Sequence, residues 1–182
     1  MSSTRNRSTL VALAAVACAA LVATVAASAD DGGRKGDDHD QQGNREDAAR
    51  ILSATLAPSM PGDPSVHGVT PGGVPWVLDR GSVKLSADGR IKVALRGLVI
   101  PIAHGAFPAN TARPVTTVSA SLYCAPDASA AAATTSSAPI SEDGDARIVD
   151  ALHLPATCLA PTVLVHPNGG LTAYIALPGW RS

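Results

Sequence analysis

The sequence predicts an all-β domain, an antiparallel β-sandwich of immunoglobulin-like or jelly-roll-like architecture with one disulfide. Several stretches alternate apolar and polar residues with the period of two that is typical of half-buried strands. The chain contains 16 glycines and 14 prolines, and these separate the stretches by turns at short intervals. No long stretch beyond the N-terminal segment favours a helix, so an antiparallel sandwich or barrel is the expected architecture.

The clearest pair of strands lies within residues 82–100, where two alternating stretches flank the sequence Ala87-Asp88-Gly89. A two-residue loop would place Leu85 opposite Lys92 and mix the buried and exposed faces. A three-residue loop places Leu85 opposite Ile91 and keeps the apolar residues on one face. We therefore expect the three-residue loop, with its glycine in the left-handed bulge position.

Further strands are expected on both sides of this hairpin. The alternation or apolar bias that predicts them covers residues 115–124, 146–154, 161–166 and 171–177. Residues 51–56 favour a first strand or a short helix, and residues 128–138 favour a loop with an edge strand. Residues 58–75 are rich in proline and glycine, which predicts an extended surface crossing. Trp76 follows at once and is expected to close one end of the core.

Two cysteines, Cys124 and Cys158, lie within the predicted domain. In an oxidising compartment such a pair forms a disulfide, and Cys124 falls on the inward face of its predicted strand. Closing a loop of about 35 residues would stabilise the domain by roughly 4 kcal/mol on a chain-entropy model. A redox or metal site is the alternative. No tryptophan lies between the two cysteines, so the sequence predicts a sandwich and not the immunoglobulin topology itself.

Residues 1–29 show the order of features that is typical of a secretory signal peptide. Two arginines give a positive start, a mostly apolar run covers residues 10–27, and small residues precede a cleavage point after Ala29. We therefore expect a secreted, extracellular protein. Two alternatives remain open: the apolar run is kept as a membrane anchor with the domain facing outside, or Cys18 is lipidated.

Residues 30–48 contain no apolar residue before Ala48 and carry many acidic side chains. Such a segment cannot bury enough apolar surface to offset the entropy of ordering, so it is predicted to be a disordered acidic leader. Its run Asp37-Asp38-His39-Asp40 could collect a divalent cation or form a solvated tail. The β-sandwich domain is then expected over residues 49–182.

Composition narrows the classes of partner. The formal net charge is −1 at pH 7 and no basic face is evident, which argues against nucleic-acid binding. No second apolar run is long enough to cross a bilayer after signal cleavage. No glycine-rich phosphate loop occurs, and no cofactor is expected. The sequence names no partner, and an envelope protein or a glycan is a candidate ligand.

One acidic turn could hold a metal ion. Glu142, Asp143 and Asp145 surround Gly144 and could offer carboxylate oxygens to calcium. Their spacing does not match the calcium loop of helix–loop–helix proteins, and a hairpin turn is expected at this position. The alternative is an ordinary hairpin turn with solvated carboxylates.

A catalytic triad depends on folded geometry and cannot be recognised from sequence order alone. The histidines of the predicted domain that could act as a base each stand alone: His67, His104, His153 and His166. No Gly-x-Ser-x-Gly or His-Glu-x-x-His motif accompanies them. We expect ordinary surface or hydrogen-bonded histidines, and no catalytic residue is assigned.

Aromatic residues are scarce, at 3% of the chain. Tyr123 lies on the outward face of its predicted strand, and Tyr174 could share that side of the sheet. Together they could form a platform on which a sugar ring stacks. The alternative is that both tyrosines cover the edges of a thin core.

The chain is rich in Ala, Gly, Pro, Ser, Thr and Val and contains the segments Pro75-Trp76-Val77-Leu78, Leu122-Tyr123-Cys124 and His166-Pro167-Asn168-Gly169-Gly170. As a whole it resembles small uncharacterised secreted proteins of GC-rich bacteria, a group with no established activity. The resemblance implies export and a shared fold. It implies no substrate, cofactor or site residue.

These observations leave two functional hypotheses. The first is an exported non-enzymatic β-sandwich that serves as a structural or binding module at the cell envelope or outside the cell. The second is a secreted hydrolase whose triad is assembled from distant residues. A histidine within hydrogen-bond reach of both a carboxylate and a hydroxyl or thiol, inside a cleft, would favour the hydrolase.

Overall fold

The computed structural model describes residues 50–181, and this part of the chain contains strands and turns without an α-helix. It therefore confirms the all-β class. Residues 50–181 include no helix with the length and apolarity needed to cross a membrane. The predicted signal peptide and acidic leader lie outside the described residues. In chain order the strands are β1 (Arg50–Pro58), β2 (Thr70–Pro71), β3 (Arg80–Ser86), β4 (Arg90–Arg96), β5 (Thr117–Tyr123), β6 (Ala133–Thr134), β7 (Ala138–Pro139), β8 (Ala146–Ala151), β9 (Thr162–Pro167), β10 (Ala173–Tyr174) and β11 (Ala176–Pro178).

Nine strands form one curled antiparallel sheet in the order β6-β5-β9-β11-β1-β3-β4-β8, and β7 also pairs with β5. Strand β1 joins the two halves of this sheet. Its first part, up to Thr55, pairs with β3, and its last part, from Leu56 to Pro58, pairs with β11. The remaining two strands, β2 and β10, form a separate parallel pair.

The β3–β4 hairpin has the predicted register. Leu85 lies opposite Ile91, and the loop between the strands has three residues. Gly89 has a φ of 85°, and its N–H donates to the carbonyl of Ser86 at 3.0 Å. A Cβ atom at Gly89 would lie 2.1 Å from the carbonyl oxygen of Leu152. Glycine is therefore required here both by the left-handed conformation and by the close approach of another backbone.

The main core lies between the two halves of the curled sheet. Alternate residues of β3 and β4 meet alternate residues of β5 and β9, and Trp76, only 2% exposed, packs into the same cluster. Burying one large aliphatic side chain contributes about 1.5–3 kcal/mol, so this cluster is the main source of stability. Its most deeply buried members include Val83, Leu85, Ile91, Val93, Leu95, Val118, Leu122, Val163 and Val165.

A second, smaller cluster lies on the opposite face of β5 and β9 and contains Val69, Tyr123, Leu164 and Tyr174. The predicted crossing segment, residues 58–75, lies against this cluster through Val66 and Val69, and the carbonyl of Pro64 accepts a hydrogen bond from the Tyr174 hydroxyl. Within the crossing, Val66 and Val69 exchange two backbone hydrogen bonds of 2.9 Å around a turn with positive φ at both central residues. It is a two-residue hairpin turn of the type with positive φ at both central residues, and it reverses the chain next to the outer cluster.

The prediction of one continuous strand over residues 171–177 is wrong. The chain forms β10, passes Ile175 and then forms β11. Tyr174 and Ile175 are both buried, on opposite sides: Tyr174 joins the outer cluster and Ile175 joins the main core. Leu171 is 44% exposed. The alternating pattern failed because the chain changes layers at Ile175, so that consecutive residues are buried.

Cys124 and Cys158 form the predicted disulfide, with their α-carbons 4.7 Å apart. Cys124 directly follows β5, and Cys158 lies in the loop that leads into β9. The backbone N–H of Ala125 donates to the carbonyl of Leu159 at 2.6 Å beside the bond. The disulfide therefore ties this loop to the end of β5.

Candidate ligand-binding groove

A groove opens where β1 changes partners. Thr55 is the last residue of β1 that pairs with β3, opposite Ser82, and Leu56 is the first that pairs with β11, opposite Pro178. Beside this change lies a groove with a volume of about 500 Å³. We call it the tryptophan groove, and it is lined by residues 55–58, Met60, residues 76–81 and residues 179–181.

The groove combines a buried and an exposed tryptophan. Trp76 is 2% exposed and belongs to the main core, whereas Trp180 is 87% exposed. Met60 and Val77 are also partly open to solvent, at 37% and 40%. Large apolar side chains that share one concave surface are a feature of binding sites, whereas isolated exposed apolar residues are common everywhere.

Several bonds hold the segment that carries Trp180 against β1. The Gly179 N–H donates to the carbonyl of Thr55 at 3.1 Å, and the Thr55 hydroxyl donates to the carbonyl of Gly179 at 3.0 Å. On the other side of Trp180, the Nε of Arg181 donates to the carbonyl of Pro58 at 2.9 Å. Bonds on both sides of the exposed indole therefore tie this segment to β1, through the backbone of Gly179 on one side and the side chain of Arg181 on the other.

Arg181 also forms an ion pair with Asp63. Burial raises the pKa of the Asp63 carboxyl, but the hydrogen bonds from Arg181 and from the Met60 N–H, together with the arginine charge, lower it further than burial raises it. The net effect is a lowered pKa. The Arg181 charge is thus matched by Asp63, within a contact that helps to position Trp180.

Asp79 and Arg80 add two exposed charges to the groove beside Thr55 and Arg181. Neither Asp79 nor Arg80 forms an ion pair within residues 50–181. The Asp79 N–H donates to the carbonyl of Arg96 at 3.1 Å, and a Cβ atom at Gly97 would lie 2.3 Å from the Asp79 Oδ2. Gly97, with a φ of 64°, therefore makes room for the Asp79 carboxylate.

The acidic turn forms a hairpin and does not gather its carboxylates. Glu142 accepts hydrogen bonds from the Nε and Nη2 of Arg113 at 3.1 and 2.9 Å. Asp145 instead accepts from the backbone N–H of Gly97 at 3.1 Å, and Asp143 is exposed. No group of three or more potential metal ligands occurs among residues 50–181. The turn therefore provides local structure and does not assemble the calcium site considered from the sequence.

His67, His104 and His153 have no catalytic partners among residues 50–181. His104 and His153 are exposed. His67 stacks on Tyr123 with ring centroids 4.6 Å apart, and its Nδ1 lies 2.8 Å from the carbonyl oxygen of Ala128. The bond of His67 is thus made to the backbone and not to a carboxylate.

His166 is completely buried, and its Nδ1 lies 2.8 Å from the carbonyl oxygen of Ala173. Its partner across the β5–β9 pairing is Ser119, which is 2% exposed. The Nε2 of His166 and the Oγ of Ser119 are both buried and have no hydrogen-bond partner among the described residues. Burial lowers the pKa of His166, and the bond to Ala173 offsets part of that effect.

This pair was not predicted from the sequence. Strand alternation places Ser119 and His166 on the outward faces of β5 and β9, but it gives no sign that the crossing segment and β10 cover that side. Since the pair is closed to solvent and no bonded carboxylate orients the His166 ring, it lacks the cleft and the third member of a hydrolase triad.

The tyrosines do not form an exposed platform. Tyr123 is 2% exposed beneath His67, and Tyr174 is fully buried with its hydroxyl donating to the carbonyl of Pro64 at 2.9 Å. Burial raises the pKa of both phenols, and the nearby charge of Asp63 adds to the effect at Tyr174. Both tyrosines fill the outer cluster.

Sequence analysis also missed the tryptophan groove. Trp180 lies outside any alternating stretch, and nothing local to it indicates that β1 would change partners beside it. The one signal in the sequence was the scarcity of aromatic residues: the chain has two tryptophans, so each is a candidate for a specific role. Comparisons with known proteins find no matching family model, no similar curated protein and no similar solved structure.

Proposed function

We propose that this chain is exported and acts as a non-enzymatic binding module, at the cell envelope or outside the cell, that takes its ligand in the tryptophan groove. The observation that carries the proposal is the 87% exposure of Trp180 beside a groove of about 500 Å³. Small-ligand sites have volumes of roughly 300–1,000 Å³, so the groove has the size of a binding site.

The bonds on both sides of Trp180 support a binding role. Because the neighbouring bonds tie the Trp180 backbone to β1, covering the indole costs less backbone entropy, and its apolar area then contributes to affinity. Trp, together with Tyr and Arg, is enriched among the side chains that dominate binding energy.

Export is supported by the features of residues 1–29 and is compatible with the disulfide. The test is the intact mass of the chain recovered outside the producing cells. A mass that corresponds to a start at Asp30 supports cleavage after Ala29. A full-length chain held in the membrane would instead support the anchored alternative, and a chain found inside the cell would overturn export.

Binding is preferred to hydrolysis because of what the groove contains. Its lining includes Asp79 and Arg80 but no histidine, serine or cysteine. The one hydroxyl side chain of the lining, on Thr55, donates to the carbonyl of Gly179, so the groove lacks a nucleophile with an adjacent base. The histidine–serine pair that does exist is sealed beneath the crossing segment.

The binding role is tested by sedimentation of the purified exported chain with washed envelopes of the producing cells. Trp180→Ala is the test variant, and Ile102→Ala is the matched control because Ile102 is a large apolar residue, 67% exposed, outside the groove. We expect Trp180→Ala to lose sedimentation and Ile102→Ala to keep it. Equal sedimentation of both variants would overturn the assignment of the groove.

A further inference from the structure

We infer that the ligand of the tryptophan groove is a neutral saccharide, one ring of which stacks on Trp180 while its hydroxyl groups bond Asp79 and Arg80. This inference rests on the proposed function and names the ligand class for the same groove. It is carried by the combination of an open indole with a carboxylate and a guanidinium that have no ion-pair partner within residues 50–181.

The indole suits a sugar ring for a physical reason. One face of a pyranose is formed largely by C–H bonds, and the face of an aromatic ring carries partial negative charge that attracts polarised C–H groups. Trp180 has most of its surface free to offer such a face, and the bonds of Gly179 and Arg181 hold its backbone in place.

The polar side chains suit hydroxyl groups. An ionised carboxylate only accepts hydrogen bonds, whereas a guanidinium only donates them. Asp79 and Arg80 therefore together favour a ligand that offers both donors and acceptors over a short distance. The hydroxyl groups of a sugar do both, since each is one donor with acceptor lone pairs.

The charges of the groove indicate that this saccharide is neutral. Asp79 and Arg80 have opposite charges, and the charge of Arg181 is already matched by Asp63. A phosphate, sulfate or uronate would gain from Arg80 but be repelled by Asp79, so no net attraction for an anion remains.

An apolar peptide is the competing occupant of such a surface. Covering Asp79 and Arg80 with apolar groups would remove water from two charges without replacing its hydrogen bonds, which costs free energy. A saccharide avoids that cost. An extended proline-rich peptide is therefore included in the test as the alternative ligand.

The test uses the purified exported chain with cellohexaose, maltohexaose, mannohexaose and chitohexaose as neutral probes. Hexagalacturonate serves as the anionic probe, and decaproline as the apolar peptide. Because the chain has two tryptophans and Trp76 is 2% exposed, acrylamide quenching of tryptophan fluorescence reports mainly on Trp180. We expect at least one neutral hexamer to reduce quenching by more than half, and hexagalacturonate and decaproline to leave it unchanged.

Calorimetric titration of variants with the neutral hexamer that binds then tests the contacts. Trp180→Ala should weaken binding at least tenfold, and Asp79→Ala and Arg80→Ala should each weaken it several-fold. Trp180→Phe should keep part of the affinity, because a phenyl ring still stacks, and Ile102→Ala should bind as the unchanged chain does.

Three results would overturn the inference: no neutral hexamer binds, a hexamer binds Trp180→Ala as tightly as the unchanged chain, or hexagalacturonate or decaproline binds better than every neutral hexamer. The envelope experiment separates this failure from failure of the proposed function. If envelope sedimentation still depends on Trp180 while no neutral hexamer binds, the binding role stands and the ligand class is wrong.

Discussion

Ser119 and His166 lie opposite each other on β5 and β9, on the outer face of the curled sheet, and both are sealed from solvent. The Oγ of Ser119 and the Nε2 of His166 have no hydrogen-bond partner among the described residues. A buried polar atom without a partner costs about 1–3 kcal/mol. The two unpaired atoms therefore lower the stability of the domain.

The domain should lose stability in mild acid because of His166. Burial lowers its native pKa below the ordinary value of 6.5, so the unfolded chain binds a proton at a higher pH than the folded one does. Stability contributed by neutral His166 is therefore full above pH 6.5 and falls as the pH drops towards the native pKa, by at most about 1.4 kcal/mol per pH unit.

The measurement is urea unfolding between pH 8 and pH 5 for the unchanged chain and for His166→Asn. Asparagine keeps an N–H donor for the Ala173 carbonyl but does not titrate. We expect the variant to show a clearly flatter dependence of unfolding free energy on pH. Parallel curves for the two proteins would show that His166 is not the group responsible.

Removing the Ser119 hydroxyl should leave stability unchanged or raise it by up to about 1 kcal/mol, because no bond is lost. Ser121 is the matched control: it lies on the same face of β5, is fully buried, and its Oγ is 2.9 Å from the Oγ1 of Thr134. Ser121→Ala should therefore cost about 1 kcal/mol. Denaturant unfolding compares the two variants, and an equal cost would contradict the assignment of an unbonded Ser119.

Ser119, the serine opposite His166, should not react with a fluorophosphonate probe in the folded chain, because it is closed to solvent. The chain is incubated with the probe, digested and analysed by mass spectrometry, with a heat-unfolded sample as control. Rapid labelling of one particular serine in the folded protein would contradict the non-enzymatic proposal and favour the hydrolase.

Removal of the disulfide by Cys124→Ala with Cys158→Ala should lower the unfolding free energy by about 4 kcal/mol on the chain-entropy model. Urea unfolding of the double variant, compared with the oxidised and reduced unchanged chain, gives this value. Reduction should reproduce most of the loss. A decrease below about 1 kcal/mol would mean that the constrained loop contributes little.

Gly89→Ala should destabilise the domain by about 2 kcal/mol or more, since the residue has a positive φ and its Cβ would meet the Leu152 carbonyl oxygen. Gly73→Ala is the control, because a Cβ there has no heavy atom within 4 Å. It should be neutral or slightly stabilising. Thermal unfolding distinguishes the two variants, and similar effects would contradict the hairpin geometry.

The register of the β3–β4 hairpin was predictable because two local rules agree there. The period of two fixes which residues must share a face, and Gly89 allows the only short loop that satisfies it. The disulfide was equally predictable, because the predicted domain contains one pair of cysteines.

The outer layer and the groove could not be predicted in this way. His166 is buried because β10 and the crossing segment cover its face, and Trp180 borders a groove because β1 changes partners at Thr55. The burial of His166 and the groove beside Trp180 depend on contacts between residues more than a hundred positions apart, or on a change of layer such as the one at Ile175. Local periodicity carries no information on either.

The affinity of purified Trp180→Ala for washed envelopes is the decisive measurement for the claim that the tryptophan groove holds the ligand. We predict that this variant binds at least tenfold more weakly than the unchanged chain, a loss of about 1.4 kcal/mol, while Ile102→Ala binds normally. Equal affinity of Trp180→Ala and the unchanged chain would contradict the claim.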